Sequence, residues 1–344
     1  MKRIIIGTLT LFCLAAFLPA AFAGDDAPSD CRPWFTPTLR VGLAVDVQEP
    51  QYRLTTKGVA ISGLVRTDLK LDSAERPYFA LELPFAVTDR LTITLDGDWS
   101  FTGSDRRMSE AINFSTAGRT WESDGTSHWV STELLVSYAL IKDRPIIKDL
   151  SVVAGVRWDY QTMSFDDPDH VVGVVSSPAD TIDFRMHTLA PVAGLSATFG
   201  GLKSGIWLGD VHLRVLAGPI VWGHLDYEES FATPAFLFDF EGDLSHGYFV
   251  RGYGDFTLLS GKLTPTMEGS LAFFAQLTKT VVSGTVIGRR LATSSRFEFE
   301  SDTFTLVLGL GGSLAFDICE PAPAAPAPAP APVIEPKLEP MTFK

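Results

Sequence analysis

The feature that most constrains this chain is a series of segments in which apolar and polar residues alternate one by one. From Thr303 to Cys319, large apolar residues recur at every second position, and the residues between them are small or polar. Successive side chains of a β-strand point to opposite faces, so such a segment forms a strand with one apolar face. Ten segments of this kind follow one another: 38–47, 78–87, 90–102, 129–141, 150–162, 182–199, 211–227, 246–258, 263–277 and 303–319.

The connections between these segments alternate in length, five long ones with four short ones. An even number of strands, short turns at one end and long loops at the other are typical of outer-membrane β-barrels. The alternative is a soluble β-sandwich, but its connections do not sort by length in this way. We therefore predict an all-β fold, a ten-stranded antiparallel up-and-down transmembrane β-barrel. Parts of two long connections, 58–71 and 281–290, are expected to extend strands above the membrane.

The two ends of the chain differ from the middle. Lys2 and Arg3, an apolar stretch and then Ala21-Phe22-Ala23 indicate a secretory signal peptide, 1–23. No later stretch approaches the roughly 20 apolar residues that a membrane-spanning helix needs. Residues 24–319 are assigned to the barrel. Residues 320–344 begin with a run of Pro and Ala, which predicts an extended, disordered tail in the periplasm.

Two cysteines follow the signal peptide, Cys31 near the start of the barrel and Cys319 at its end. The first and last strands of a barrel are neighbours, so these residues are predicted to form a disulfide at the seam in an oxidising periplasm. Two free buried thiols are the alternative. With two cysteines and no nearby pair of histidines, no metal site and no cofactor are expected. The net charge of -13 argues against nucleic-acid binding.

Charged residues occupy many of the predicted inward positions, and Asp183 and Arg185 are also assigned to the inside. Charges of both signs that face one another in a confined space are expected to pair, because isolated buried charges are costly. A ten-stranded barrel is only slightly wider than the eight-stranded ones that side chains fill. We therefore predict a plugged lumen; a narrow pore, cation-selective through its acidic excess, is the alternative. The predicted lumen charge network is Arg40, Asp46, Glu82, Asp96, Asp98, Glu133, Arg157, Asp159, Arg214, Arg251, Asp255 and Glu268.

The order of a barrel followed by the repeat Ala324–Pro332 resembles OmpA-type outer-membrane proteins. In that family a Pro/Ala hinge leads to a periplasmic peptidoglycan-binding domain. Only the residues up to Lys344 follow the hinge, so that domain and its peptidoglycan binding are not expected.

The strand number and loop rhythm also resemble the omptins, ten-stranded outer-membrane proteases with an acidic pair and an Asp/His pair at the extracellular rim. The residues that match are Asp96-Gly97-Asp98 and His224-Leu225-Asp226. A spacing of two puts each pair on one strand face, where carboxylates can share a proton or orient a water. Asp96 and Asp98 fall in mid-strand, however, and the second pair reverses the family's order. Salt bridges in the lumen are therefore favoured, and no catalytic residue is assigned. No His–Ser pair of suitable spacing and no G-x-S-x-G motif is found either.

The sequence thus predicts a non-enzymatic barrel of the Gram-negative outer membrane, with a structural or surface-interaction role carried by its extracellular loops. The expected partners are outer-membrane lipid and lipopolysaccharide, together with a surface ligand bound by the loops. The alternatives are a narrow porin or transport pore for small solutes and an omptin-like protease.

Overall fold

The structure, a computed structural model, describes residues 31–57, 64–72, 75–102, 106–114, 118–172, 181–200, 209–232, 235–264, 266–290 and 293–319. The signal peptide 1–23 and the tail 320–344 lie outside the described residues. No helix within these ranges is long and apolar enough to cross a membrane. The strands are β1 (Cys31–Phe35), β2 (Thr38–Asp46), β3 (Gln51–Lys57), β4 (Leu64–Leu71), β5 (Glu75–Ala86), β6 (Leu91–Phe101), β7 (Arg106–Phe114), β8 (Gly118–Lys142), β9 (Ile147–Val172), β10 (Thr181–Phe199), β11 (Val211–Pro219), β12 (Trp222–Ala232), β13 (Ala235–Thr264), β14 (Met267–Arg290) and β15 (Thr293–Cys319).

All of these strands belong to one antiparallel sheet that closes on itself. At one level the ring runs β2, β5, β6, β8, β9, β10, β11, β13, β14 and β15, and returns to β2. At the other level β3, β4 and β7 take the places of β2, β5 and β6, and β12 takes the place of β11. Both levels contain ten strands. The predicted all-β, ten-stranded antiparallel fold is confirmed.

Most of each long connection that was predicted as a loop is β-structure. β8, β9, β13, β14 and β15 contain 25, 26, 30, 24 and 27 residues. A transmembrane β-strand needs only about 9–11 residues to cross a bilayer. These strands are more than twice as long, about 80–100 Å at roughly 3.3 Å per residue. The expected extension at 281–290 is confirmed because β14 continues to Arg290, and residues 64–71 of the expected 58–71 form β4.

The two levels of the barrel have opposite polarity. The lower half carries β1, the short turns and the end of β15, and its exposed outward residues are apolar. The upper half carries the long hairpins; most of its inward residues are apolar and most of its outward ones are polar or charged. Outward residues of the lower half include Leu95, Leu134, Val136, Leu195, Val215, Leu277 and Leu308. Inward residues of the upper half include Tyr52, Leu54, Leu69, Phe184, Tyr227, Phe238, Phe240, Phe297 and Phe299.

A β-bulge in β13 lies at the boundary between the two halves. The pairing of β13 with β14 shifts register between Leu244 and His246. Inward residues of β13 therefore have even numbers above the bulge, as at Phe240, and odd numbers below it, as at Arg251. Gly247 has a φ of 152°, and a Cβ there would lie 2.2 Å from a backbone oxygen of Val281. Only glycine fits this position without displacing the neighbouring strand.

The seam of the barrel lies at the lower end, where β1 pairs with β15. Cys31 and Cys319 are direct partners in the backbone register. Directly opposed residues of an antiparallel pair have Cβ atoms about 4.5–5.5 Å apart, close to the separation that a disulfide spans. Their side chains lie outside the described residues, so the disulfide stays a prediction.

Candidate functional site: the charged lumen

The centre of the lower lumen is an arginine surrounded by carboxylates. Arg251 of β13 forms an ion pair with Asp98 of β6 and lies 3.1 Å from Glu133 of β8 and 3.7 Å from Asp96. These four side chains are no more than 3% exposed. The hydroxyl of Tyr78 donates a hydrogen bond to Asp98 at 2.5 Å. The period-two alternation of β5, β6, β8 and β13 turns these residues inward, because the apolar residues between them face outward, and strand register brings them to one level.

A second arginine continues the cluster on the next strand. Arg157 of β9 is fully buried; its Nη1 lies 2.5 Å from Glu133, and its Nε and Nη2 bind Asp159 at 2.7 and 2.5 Å. The guanidinium also lies 4.1 Å from the ring centre of Phe249. A buried guanidinium with two carboxylate partners and an aromatic face is well compensated for its loss of water.

Below this cluster, towards the short turns, two arginines share one carboxylate. Arg40 forms an ion pair with Glu82 and lies 3.7 Å from Asp96, and Arg214 lies 2.5 Å from Glu82. The ring of Tyr253 contacts both guanidinium groups, at 4.6 Å from Arg40 and 5.6 Å from Arg214. The arginines and carboxylates thus form one connected set that crosses the bore from β2 to β13.

Four residues predicted to face inward are not part of the arginine network. Asp255 faces the lumen but bonds His212 at 3.1 Å rather than an arginine. Glu268 is exposed beside the turn at Thr266, opposite Lys262 in register. Asp183 and Arg185 face outward, because they belong to the upper half, where inward positions are apolar. Arg185 is exposed and lies 4.0 Å from Asp226.

One charged partner in the lumen was not predicted from the sequence. Asp46 forms an ion pair with Arg76, which had been placed in a loop, and Thr305 donates to Asp46 at 3.3 Å. The sequence does contain the pattern that identifies it. Arg76 lies two residues before Tyr78 and four before Ala80, so all three are on the inward face of β5.

A small cavity lined by both polar and apolar residues lies above the charged cluster. It measures about 50 Å³, and its lining includes Asp46, Tyr52, Gln161, Gln276 and Thr305. About 10–15 Å³ is needed for one water, so the cavity holds only a few waters.

Aromatic side chains close the bore of the upper half. Tyr52 and Phe184 lie 4.9 Å apart, Tyr227 and Phe240 lie 5.4 Å apart, and Phe240 and Phe297 lie 5.1 Å apart, measured between ring centres. These five rings come from β3, β10, β12, β13 and β15, and each is no more than 2% exposed. Rings from across the barrel therefore meet in its middle.

The outer surface of the upper half is polar. Asp68 of β4 accepts hydrogen bonds from Arg53 at 2.9 Å and Arg66 at 2.8 Å. Partial burial would raise the pKa of Asp68, but the hydrogen bonds and charges of Arg66 and Arg53 outweigh it and hold that pKa below its ordinary value. Such paired charges suit a surface in water rather than in lipid.

The residues that resemble the omptin pairs are not assembled into one site. Asp96 and Asp98 are buried in the lumen of the lower half, bound to arginines. His224 is on the outward face of β12, where its Nδ1 lies 3.4 Å from Asp243. The two pairs are thus on opposite sides of the barrel wall. Among the described residues, no group of three His, Cys, Asp or Glu is arranged to hold a metal ion.

No known family model and no curated protein matches this sequence. Among solved structures, the outer membrane protease OmpT from Escherichia coli matches with a TM-score of 0.57 and 11% identity, over 86% of this chain and 100% of that chain. The chain has the fold of a Gram-negative outer-membrane β-barrel. OprG from Pseudomonas aeruginosa has a TM-score of 0.30 and 12% identity, over 82% of this chain and 97% of its own. The translocator domain of NalP from Neisseria meningitidis has a TM-score of 0.33 and 8% identity, over 91% of this chain and 96% of its own. At 11% identity the likeness to OmpT is one of fold.

Proposed function

We propose that the protein is a sealed barrel of the Gram-negative outer membrane that acts through the surfaces at its two ends and passes no solute through its lumen. The observation that carries this proposal is the pair of layers that cross the bore. The lower layer is the arginine–carboxylate cluster, and the upper layer is the aromatic core. To cross the barrel, a solute would have to push apart the side chains of both layers.

The aromatic residues on the outside of the lower half support the placement in a membrane. Near its lower edge Phe35 lies 4.6 Å from Phe85 and 6.0 Å from Phe316, measured between ring centres. Near its upper edge Trp99 lies 5.3 Å from Phe101. Two aromatic girdles with an apolar band between them are typical of outer-membrane barrels, where they lie at the two interfaces. Lipid and lipopolysaccharide would surround this band.

The upper half supports a surface role. Its strands carry the long hairpins well beyond the apolar band, and its charged outward face and apolar core make it a rigid extension rather than a set of free loops. We assign the binding of a surface ligand to the hairpins at the top of this extension. Short turns and chain ends face the periplasm in such barrels, so the tail 320–344 would lie there.

The proposal is tested by conductance in planar bilayers. The purified, folded protein is expected to insert without unitary current steps in concentrated KCl, and liposomes that contain it are expected not to swell in small sugars. Insertion is checked by the band that shifts on a gel only after boiling.

Stable unitary steps would contradict the sealed lumen. A Glu133→Gln variant distinguishes the protein's own current from that of a contaminating porin. A change of cation selectivity in this variant would establish the narrow-pore alternative, since Glu133 lies in the central cluster.

A further inference from the structure

Three residues at the lower end of the lumen form a hydrogen-bonded chain that the charged cluster does not explain. The Oγ of Ser196 lies 2.8 Å from Nε2 of His212, and Nδ1 of His212 lies 3.1 Å from Oδ2 of Asp255. They come from β10, β11 and β13, which are consecutive in the ring. Serine, histidine and aspartate are thus in contact in that order.

The chemistry of the three groups fixes the direction of both hydrogen bonds. An ionised carboxylate can only accept, so Nδ1 of His212 carries the proton and donates it to Asp255. The lone pair of Nε2 is then left to accept from the hydroxyl of Ser196. Asp255 is hydrogen-bonded by Tyr253 as well, which holds the carboxylate in place. This is the arrangement in which a histidine acts as general base towards a serine.

Strand register, not sequence proximity, brings these residues together. His212 is the direct partner of Asp255 and the diagonal neighbour of Ser196. In sequence, His212 is 16 residues from Ser196 and 43 from Asp255. A search for closely spaced His and Ser therefore does not find them.

A cavity of about 340 Å³ at the lower end gives access to the serine. Ser196 and His212 line it, Asp255 lies behind them, and Arg214 adds a positive charge next to His212 on the same face of β11. Residues of the short turns, among them Asp89, form its mouth. Its remaining polar lining includes Thr36, Thr92, Thr94, Ser137, Ser151 and Lys142.

We propose that Ser196, His212 and Asp255 are the catalytic triad of a hydrolase that cleaves esters of short acyl groups on polar molecules entering from the short-turn end. The short acyl group follows from the lining, in which Trp34 is the one large apolar side chain among the residues that the structure describes. A long fatty chain would find hydroxyl and charged groups instead of an apolar groove. The site lies below the charged cluster, so it needs no passage through the lumen.

The reaction balances with water as the only other reactant. The Oγ of Ser196 attacks the ester carbonyl while Nε2 of His212 takes its proton, and the C–O bond to the alcohol breaks as His212 protonates the leaving oxygen. Arg214, the direct strand partner of Ser196 and ion-paired with Glu82, is assigned the role of stabilising the oxyanion of the tetrahedral intermediate. Water, deprotonated by His212, then attacks the acyl-serine and releases the carboxylic acid, and the proton returns to Ser196.

The test is covalent labelling of the folded full-length protein in detergent with diisopropyl fluorophosphate. Peptide mass analysis is expected to find the adduct on Ser196. The labelling rate is expected to fall at least about 100-fold in Ser196→Ala and His212→Gln, the scale of general-base catalysis. Ser137→Ala is the matched control, since Ser137 lines the same cavity without contacting His212 in the structure, and it should be labelled like the native protein.

Turnover gives the second readout. Hydrolysis of p-nitrophenyl acetate is expected to exceed that of p-nitrophenyl palmitate and to be lost in Ser196→Ala, while the heat-shifted gel band shows that this variant is folded. Asp255→Asn is expected to lower kcat more than it raises KM. Folded native protein with no adduct on Ser196, or a Ser196→Ala variant that hydrolyses the acetate ester at the native rate, would overturn the proposal.

Discussion

Replacing Arg251 by alanine is expected to destabilise the folded barrel by about 3–5 kcal/mol, because it removes the counter-charge of buried Asp98 and one of the two arginines that bind Glu133. Asp98 and Glu133 are each about 1% exposed in their side chains and lie directly against Arg251. An unpaired buried charge lowers the free energy of unfolding by far more than the complete ion pair adds to it. The double variant Arg251→Ala with Asp98→Asn should recover part of the loss, because one of the uncompensated charges is removed.

The measurement is the free energy of unfolding from urea titration, with the folded fraction read from the heat-shifted gel band. Arg185→Ala is the control: its ion pair with Asp226, at 4.0 Å, is exposed on the upper half. Such a pair contributes less than about 1 kcal/mol. Equal effects of the two substitutions would mean that the lumen is hydrated and that the charged cluster is not a buried plug.

Replacing Phe240 by alanine is expected to cost about 3–5 kcal/mol, the usual range for a buried phenylalanine. Phe240 is 1% exposed, and its ring contacts those of Tyr227, Phe238 and Phe297. The cavity left behind would lie among the rings of Tyr227, Phe238 and Phe297 in the core of the upper half. The stability of the upper half, which depends on this core, should decrease, and that of the lower half should not change.

Limited proteolysis and amide hydrogen exchange measure this difference. In Phe240→Ala the upper halves of β13 and β14 should exchange and be cleaved faster, while the lower halves stay protected. Ile287→Ala is the control, since Ile287 faces outward on β14 and is 44% exposed. If Phe240→Ala behaves like Ile287→Ala, the upper half has no packed core.

The lower half could be predicted from the sequence because its pattern has only one interpretation. In 303–319 the apolar residues at even positions must face lipid, so Gly309 and Ser313 face the lumen. The identity of the inward charges followed from the same alternation. Their partners did not, because pairing across the lumen depends on strand register. Asp255 was therefore assigned to the arginine network although it binds His212.

Most of the upper half was predicted as loops. A strand whose apolar residues face the inside has the same period-two alternation as one whose apolar residues face lipid, so the pattern alone does not distinguish the two halves. Phe238 and Phe240 are large apolar residues in a stretch that the sequence predicts as a loop, and both are buried in the core. The charged outward residues of that half, such as Glu241 and Arg289, made the segments resemble loops. The bulge at Leu244 also changes the phase of β13 close to the point where the predicted strand begins.

The central claim is that one barrel has an apolar outer surface below and a polar one above, and site-directed spin labelling along β15 tests it most directly. Nitroxides would be attached to Glu300→Cys, Leu306→Cys and Leu308→Cys in a background without Cys31 and Cys319, with the protein in lipid bilayers. We predict that labels at 306 and 308 are accessible to oxygen and shielded from a water-soluble nickel complex. The label at 300 should show the reverse. A label at 308 that the nickel complex reaches, or a label at 300 that behaves as if in lipid, would contradict the division of the barrel into these two halves.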